Sequence, residues 1–191
     1  MNKQIHSFKG FDFYLKKDSE LSCGEKSEMH NLLVDNFPDF KRIYDKHGYY
    51  STIRPQMSFL VKKEGVLVGT GKFLWKNINI GRRSIKLFGF GLIIAKKYQG
   101  IGLGTALAKL DIAKARDKGA DLLYGSTSNK IVIKMLSNLG FKSVITKVFY
   151  KDFETEVKKE EKKHIFCFEF KKGLIKRINT LPEVYIGVGP I

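Results

Sequence analysis

Three glycines at alternate positions, Gly100, Gly102 and Gly104, stand between an apolar run and the first turn of an amphipathic pattern. Glycine leaves the backbone bare, so amides there can approach a ligand closely. Amides at the start of a helix lack partners inside it, and the helix dipole favours negative charge at that end. A phosphate or pyrophosphate is the guest such an arrangement suits. Gly104 is followed by Thr105 with no lysine between, so the stretch is not a Gly-Lys-Ser/Thr phosphate loop. Nor does Gly-x-Gly-x-Gly match the Gly-x-Gly-x-x-Gly of dinucleotide-binding turns. Asp121 lies at about the right distance for a ribose contact, but it opens its strand instead of ending it. The plain alternative is a glycine turn that only permits close packing.

Other side chains offer less chemistry. No Asp or Glu occurs between Glu64 and Asp111, so the strands there present no carboxylate base. Tyr124 and Ser126 could exchange protons, although a tyrosine in a strand more often simply packs. His30, His47 and His164 have no motif around them. Cys23 and Cys167 make neither a disulfide framework nor a metal-ligand spacing. No catalytic residue is assigned, and no metal site.

The elements that must hold the glycine turn follow from periodicity. Phe11 to Leu15 suits a first strand. Ser22 and Glu25 have capping-box spacing, and Met29, Leu32, Leu33 and Phe37 continue as one helical face. Pro38 breaks that helix, and a short second one is expected from Asp39 to about Lys46. Met57–Val61 and Val66–Trp75 read as strands joined by a tight turn at 62–65. A further turn over 77–83 leads into Ser84–Ala95, apolar nearly throughout, as suits a strand covered on both faces. From Gly102 the period becomes helical through Leu103, Leu107 and Leu110, with Gly119 as the stop. Asp121–Ser126 is a strand, Asn129–Leu139 a helix, and Lys142–Tyr150 and His164–Phe170 two strands around a charged loop. A helical turn and a last strand near Val184–Val188 complete the tail. The expected fold is α/β, with a mixed sheet, a parallel crossover and flanking helices. One domain is expected over 1–191, with its core at about 11–170 and an extension at 171–191.

Gln99, Gly102 and Gly104 spell Q-x-x-G-x-G, and the surrounding IIAKKYQGIGLGTAL resembles the strand–loop–helix of the GCN5-related N-acetyltransferase (GNAT) superfamily. Lys96 and Lys97 stand where that family frequently has proline and an acid. SNKIVIKMLSNLGF is similar to the family's second motif, with Asn129 and Leu139-Gly140-Phe141 in register. The resemblance spans about Leu87–Phe141. It implies a three-layer fold whose central parallel strands, 84–95 and 121–126, splay around the pantetheine arm of acetyl-CoA or another acyl-CoA. It further implies that backbone groups of Leu92 and Ile94 pair with that arm. Gln99, Gly100, Ile101, Gly102, Leu103, Gly104 and Thr105 would hold the pyrophosphate, with Asn129 hydrogen-bonding the arm. For Asn129 the plain alternative is a helix cap, with Ser128 as rival. The implied activity is acyl transfer, acetyl above all, to an amine of a small molecule or peptide. The amide near Ile94 is the implied oxyanion donor. Leu136 replaces the tyrosine many relatives use to protonate the thiolate.

Two other functions compete. FGFGLIIAKKYQGIGLG, YGST and EVYIGVGPI look loosely like the rhizobial nodulation N-acyltransferases, which take a fatty acyl chain from acyl carrier protein. An acidic carrier would suit a chain of 191 residues with 35 Lys and Arg against 19 Asp and Glu, a formal charge of +16. A binding protein that kept the fold and lost the chemistry is the alternative of a different class; no nucleic-acid-binding motif appears. Hydrophobic residues at 43% argue against global disorder. The longest apolar stretch, Leu87–Ala95, is far short of the ~20 residues of a membrane helix. The first residues lack a secretory apolar core, so a soluble, reduced, cytoplasmic protein is expected.

Overall fold

The structure, a computed structural model, describes residues 4–49, 54–152 and 154–189. The chain divides into two compact units: Met1–Leu74 with Gly91–Leu110, and Trp75–Phe90 with Asp111–Ile191.

In the first unit, strands β1 (Gln4–Phe8), β2 (Phe11–Lys17), β3 (Met57–Lys63) and the part of β4 (Val66–Ile80) up to Leu74 pair in that order, all antiparallel. The strand period of two gives these strands two apolar faces. On one, Phe11, Phe13, Phe59, Val61 and Val68 join Ile94 and the helix residues Leu103 and Leu107. On the other, Leu60, Leu67 and Ile93 meet Met29, Leu32 and Leu33 of α1 (Cys23–Asn36) and Tyr44 of α2 (Lys41–His47). Each such side chain contributes about 1.5–3 kcal/mol when fully buried. Two glycines of β4 set the spacing. A Cβ on Gly69 would lie 2.6 Å from Ile94 Cδ1, and one on Gly71 would lie 3.3 Å from Leu107 Cδ2. Bare backbone there lets the end of β5 (Arg83–Ile94) and the start of α3 (Leu103–Asp117) pack closely.

Helix α1 begins as its sequence dictates. Ser22 Oγ accepts from Glu25 N–H at 3.1 Å, and Glu25 Oε2 accepts from Ser22 N–H at 3.1 Å. Glu25 does more than cap. It is 6% exposed, it receives two 2.7 Å bonds from the Lys16 ammonium, and Lys62 adds one at 3.2 Å. Burial raises its pKa, but the Lys16 bond, the Ser22 amide and Lys62 outweigh that and bring it down to about 2.

The second unit pairs β5 with β6 (Leu122–Thr127) in parallel, and β6 with β10 (His164–Glu169) and β10 with β7 (Lys142–Val144) antiparallel. A smaller sheet orders β11 (Glu183–Val188), β8 (Lys147–Lys151) and β9 (Lys158–Glu160), with β11 parallel to β8. Helices α4 (Lys130–Asn138) and α5 (Leu174–Ile178) complete it. Asp121, at the foot of β6, accepts from Lys86 N–H at 2.8 Å and pairs with Lys171, which ties the parallel strands at their start.

The expected mixed α/β architecture is present, with four departures. Strand β1 was not expected. β4 runs on to Ile80, so the turn over 77–83 shrinks to Gly81 and Arg82. The run Lys142–Tyr150 is two strands, because Ile145 N–H donates to Asn179 and Thr146 Oγ1 donates to Ile178 O, where α5 replaces a strand partner. The charged loop contains β9.

Asp111 in α3 is fully buried, and neither carboxylate oxygen has a hydrogen-bond partner. Burial pushes its pKa well above 3.8. The folded state therefore favours the neutral acid, while the unfolded chain ionises freely above 3.8, so wild-type stability declines as pH rises from there. Asp111→Asn is expected to raise Tm by several degrees at pH 7, for about 1–3 kcal/mol, because an amide needs no proton taken up on folding although its own buried N–H groups offset part of the gain, and to gain little near pH 4. Melts of the two proteins across that range check it; superposed curves at every pH would contradict it.

Candidate cofactor site

The glycine turn lies wholly in the first unit. After β5 ends at Ile94, a 3-10 turn spans Lys96–Tyr98 and α3 starts at Leu103. Gly100 has φ +80° and Gly102 φ +98°, a region that other residues enter only under strain. The first hydrogen bond into α3 runs from Ala106 N–H to Gly102 O at 3.0 Å. Amides from Leu103 to Thr105 thus have no carbonyl within the helix to reach, which is the free-donor cluster a pyrophosphate needs. Gly100 and Ile101 are exposed, and Gly102, Gly104 and Thr105 half-buried, while Leu103 anchors the turn in the core.

The Gln99 side chain bonds back onto its own chain, although the residue is exposed. Its Nε2 donates to Ile94 O at 2.9 Å and lies 3.5 Å from Asn36 Oδ1. It therefore closes the turn between strand end and helix start, and touches the last residue of α1. Leu92 is half-buried beside the core, and Ile94 is buried in it.

The second unit holds the remaining predicted residues. Registered β5–β6 pairs are Leu87↔Leu122, Phe88↔Leu123 and Gly89↔Tyr124. The registered pairs end at Gly89 and Tyr124. The ring of Phe90 would lie 2.9 Å from a Cβ on Gly125. Asn129 caps α4, its Oδ1 accepting from Ile131 N–H at 2.9 Å and Val132 N–H at 3.4 Å. The cap reading is thus realised, and Asn129 rather than Ser128 fills it; the Nδ2 donors take no part in the cap. Leu136 is buried at 2% exposure.

Of the two candidate proton carriers, one has a side-chain partner and the other is buried. Ser126 Oγ donates to Glu161 Oε2 at 3.3 Å, a contact across 35 residues that the sequence did not signal. Tyr124 is buried at 2% exposure. His30 pairs with Asp45 at 2.9 Å on the surface. The Cys167 thiol is buried, chiefly for which reason its pKa is pushed up to about 12, so it is no nucleophile near neutral pH. Among the described residues no group of three or more His, Cys, Asp and Glu could hold a metal, and no helix is long and apolar enough to cross a membrane.

Solved structures share this fold. A GNAT family acetyltransferase from Brucella melitensis, crystallised in complex with acetyl-CoA, has a TM-score of 0.55 at 16% identity, over 83% of this chain and 88% of its own. A GNAT family acetyltransferase from Streptococcus pneumoniae gives 0.53 at 13%, over 83% and 99%. A chain of the NatC complex, bound to Gag peptide and CoA, gives 0.52 at 12%, over 83% and 99%. Identities this low show the fold alone. No curated protein sequence matches the chain. The model of the acetyltransferase (GNAT) family, however, matches residues 26–141, more than half of the chain, from Lys26 within α1 through the glycine turn to Phe141. The chain belongs to the GNAT acetyltransferase family.

Proposed function

We propose that the chain transfers an acyl group, acetyl above all, from acyl-CoA to an amine of a small molecule or peptide. The observation that carries this is the glycine turn, where two left-handed glycines open onto the free amides of a fifteen-residue helix. The residues present fit coenzyme A. Amides from Gly100 to Thr105 would hold its pyrophosphate, and backbone groups of Leu92 and Ile94 would pair with the pantetheine arm. The Asn129 Nδ2 is the group that its capping role leaves for a further bond. Relatives crystallised with acetyl-CoA or with CoA and a peptide support the choice of donor and of an amine acceptor.

In the reaction the amine lone pair forms the new C–N bond at the thioester carbonyl, and the C–S bond breaks as its electron pair moves to sulfur. The backbone amide of Ile94 is the candidate donor to the oxyanion. One proton leaves the acceptor ammonium before attack and a second leaves the adduct for the thiolate. No side chain is assigned to either transfer. The test is release of CoA thiol from acetyl-CoA in the presence of a panel of primary amines and N-terminal peptides. Saturable, protein-dependent release with at least one acceptor is expected. CoA binding without release for any acceptor would mark a binding protein that shares the fold.

A further inference from the structure

The β1–β2 hairpin, absent from the sequence expectation, ends against the glycine turn. Phe8 pairs with Phe11, which leaves Lys9 and Gly10 as a two-residue loop with φ +52° and +75°. Positive φ at both positions is the type I′ arrangement, for which Asn-Gly is preferred because asparagine tolerates the left-handed region. A lysine there works against the local backbone. Such an outlier points toward a use for the side chain.

That side chain reaches the phosphate turn. Lys9 Nζ donates to Ile101 O at 3.1 Å, across 92 residues. The Phe8 ring lies beneath, 3.4 Å from where a Cβ of Gly102 would stand. An ammonium carries three donors, and Ile101 takes one. Two further lysines stand over rings of the cluster that Phe8 joins. Lys63 stands over the rings of Phe11 and Tyr98 at 5.5 and 5.6 Å, and Lys97 over Tyr98 at 4.8 Å. All of these groups belong to the first unit.

We infer that Lys9 is a phosphate ligand of the cofactor site, held over the turn by the hairpin so that its ammonium meets a CoA phosphate beside Ile101. This rests on the cofactor reading of Gly100–Thr105. The bare turn supplies dipoles, and Lys9 supplies a full charge where they converge, which shortens and strengthens a hydrogen bond to phosphate. Two phosphates of CoA could take it, the pyrophosphate or the 3′-phosphate.

The test is Lys9→Asn. It installs the Asn-Gly pair that a type I′ turn prefers, so Tm should hold or rise while the charge is lost. CoA and 3′-dephospho-CoA are titrated by calorimetry at low salt into wild type, Lys9→Asn and Lys9→Arg. The expected result is CoA affinity about tenfold weaker in Lys9→Asn and largely restored in Lys9→Arg, the size expected for one charge-assisted contact. If dephospho-CoA suffers the same loss, the pyrophosphate is the partner; if the loss appears with CoA alone, the 3′-phosphate is. A hairpin that merely braces the turn would move Tm and leave affinity unchanged by the charge. Wild-type affinity in a folded Lys9→Asn overturns the inference while the cofactor reading stands. Failure of wild type itself to bind overturns both.

Discussion

Gly102→Asp should abolish coenzyme A binding, weakening it at least a hundredfold. Three effects act together. At φ +98° an aspartate is strained by roughly 1–3 kcal/mol. Its Cβ would stand 3.4 Å from the Phe8 ring, tight but tolerable, so the fold should survive. Its carboxylate would then lie among the amides meant for phosphate, opposing the ligand's own charge. Gly100→Ala is the companion control. Its φ is +80°, but a Cβ there would meet nothing within 4 Å, so it carries strain without charge or blockage. A modest loss of affinity is expected for Gly100→Ala and a complete one for Gly102→Asp. Calorimetry with both variants checks the pair, and near-wild-type binding by Gly102→Asp would show that the phosphate lies elsewhere.

Glu25→Ala should cost about 3–5 kcal/mol of stability, because it leaves the buried Lys16 ammonium and the partly buried Lys62 facing each other without a counter-charge. Against a typical total of 5–15 kcal/mol that is enough to threaten folding at 37 °C. The sign of the pH effect follows from the depressed pKa. Glu25 binds protons less readily folded, at about 2, than unfolded, at 4.5, so its stabilisation is full above 4.5 and drains away as pH falls toward 2. Urea titrations from pH 7 to pH 3 should show wild type and Glu25→Ala converging at the acid end. Lys16→Met with Glu25→Leu should recover part of the loss, since apolar groups of similar size can replace a buried pair. A constant difference between wild type and Glu25→Ala at every pH would mean that the ion trio is not what stabilises α1. The consequence reaches the site: the Glu25 end of α1 is fixed to β2 and β3, and the Asn36 end meets Gln99 of the glycine turn.

What the sequence revealed were the features whose causes are local. Ser22 and Glu25 are three residues apart, and both arms of their cap formed. The glycines of the turn and the Asn129 cap are likewise written into short stretches of chain. What it hid depended on distant partners. Gln4–Phe8 has no apolar alternation, and only its pairing with β2 makes it a strand. Beyond Trp75, Asn77 and Asn79 read as turn residues, yet they are the exposed half of an alternation whose other half, Ile78 and Ile80, is buried. The cap at Ser22 was visible, whereas Lys16 and Lys62 beside Glu25 were not, because nothing in their spacing brings β2, β3 and α1 together. Lys9 is a further case, since nothing in its spacing brings the hairpin to Ile101. Gln99 was the reverse case: its place in the motif was plain, but that its side chain holds Ile94 O follows only from the folded turn.

The central claim is that the turn from Gly100 to Thr105 holds the pyrophosphate of coenzyme A. Calorimetric titration of the purified wild-type protein with acetyl-CoA tests it most directly. Saturable one-to-one binding that weakens with added salt is the predicted result, since the ligand's phosphates meet partly exposed positive charge. No heat of binding at millimolar acetyl-CoA would contradict it.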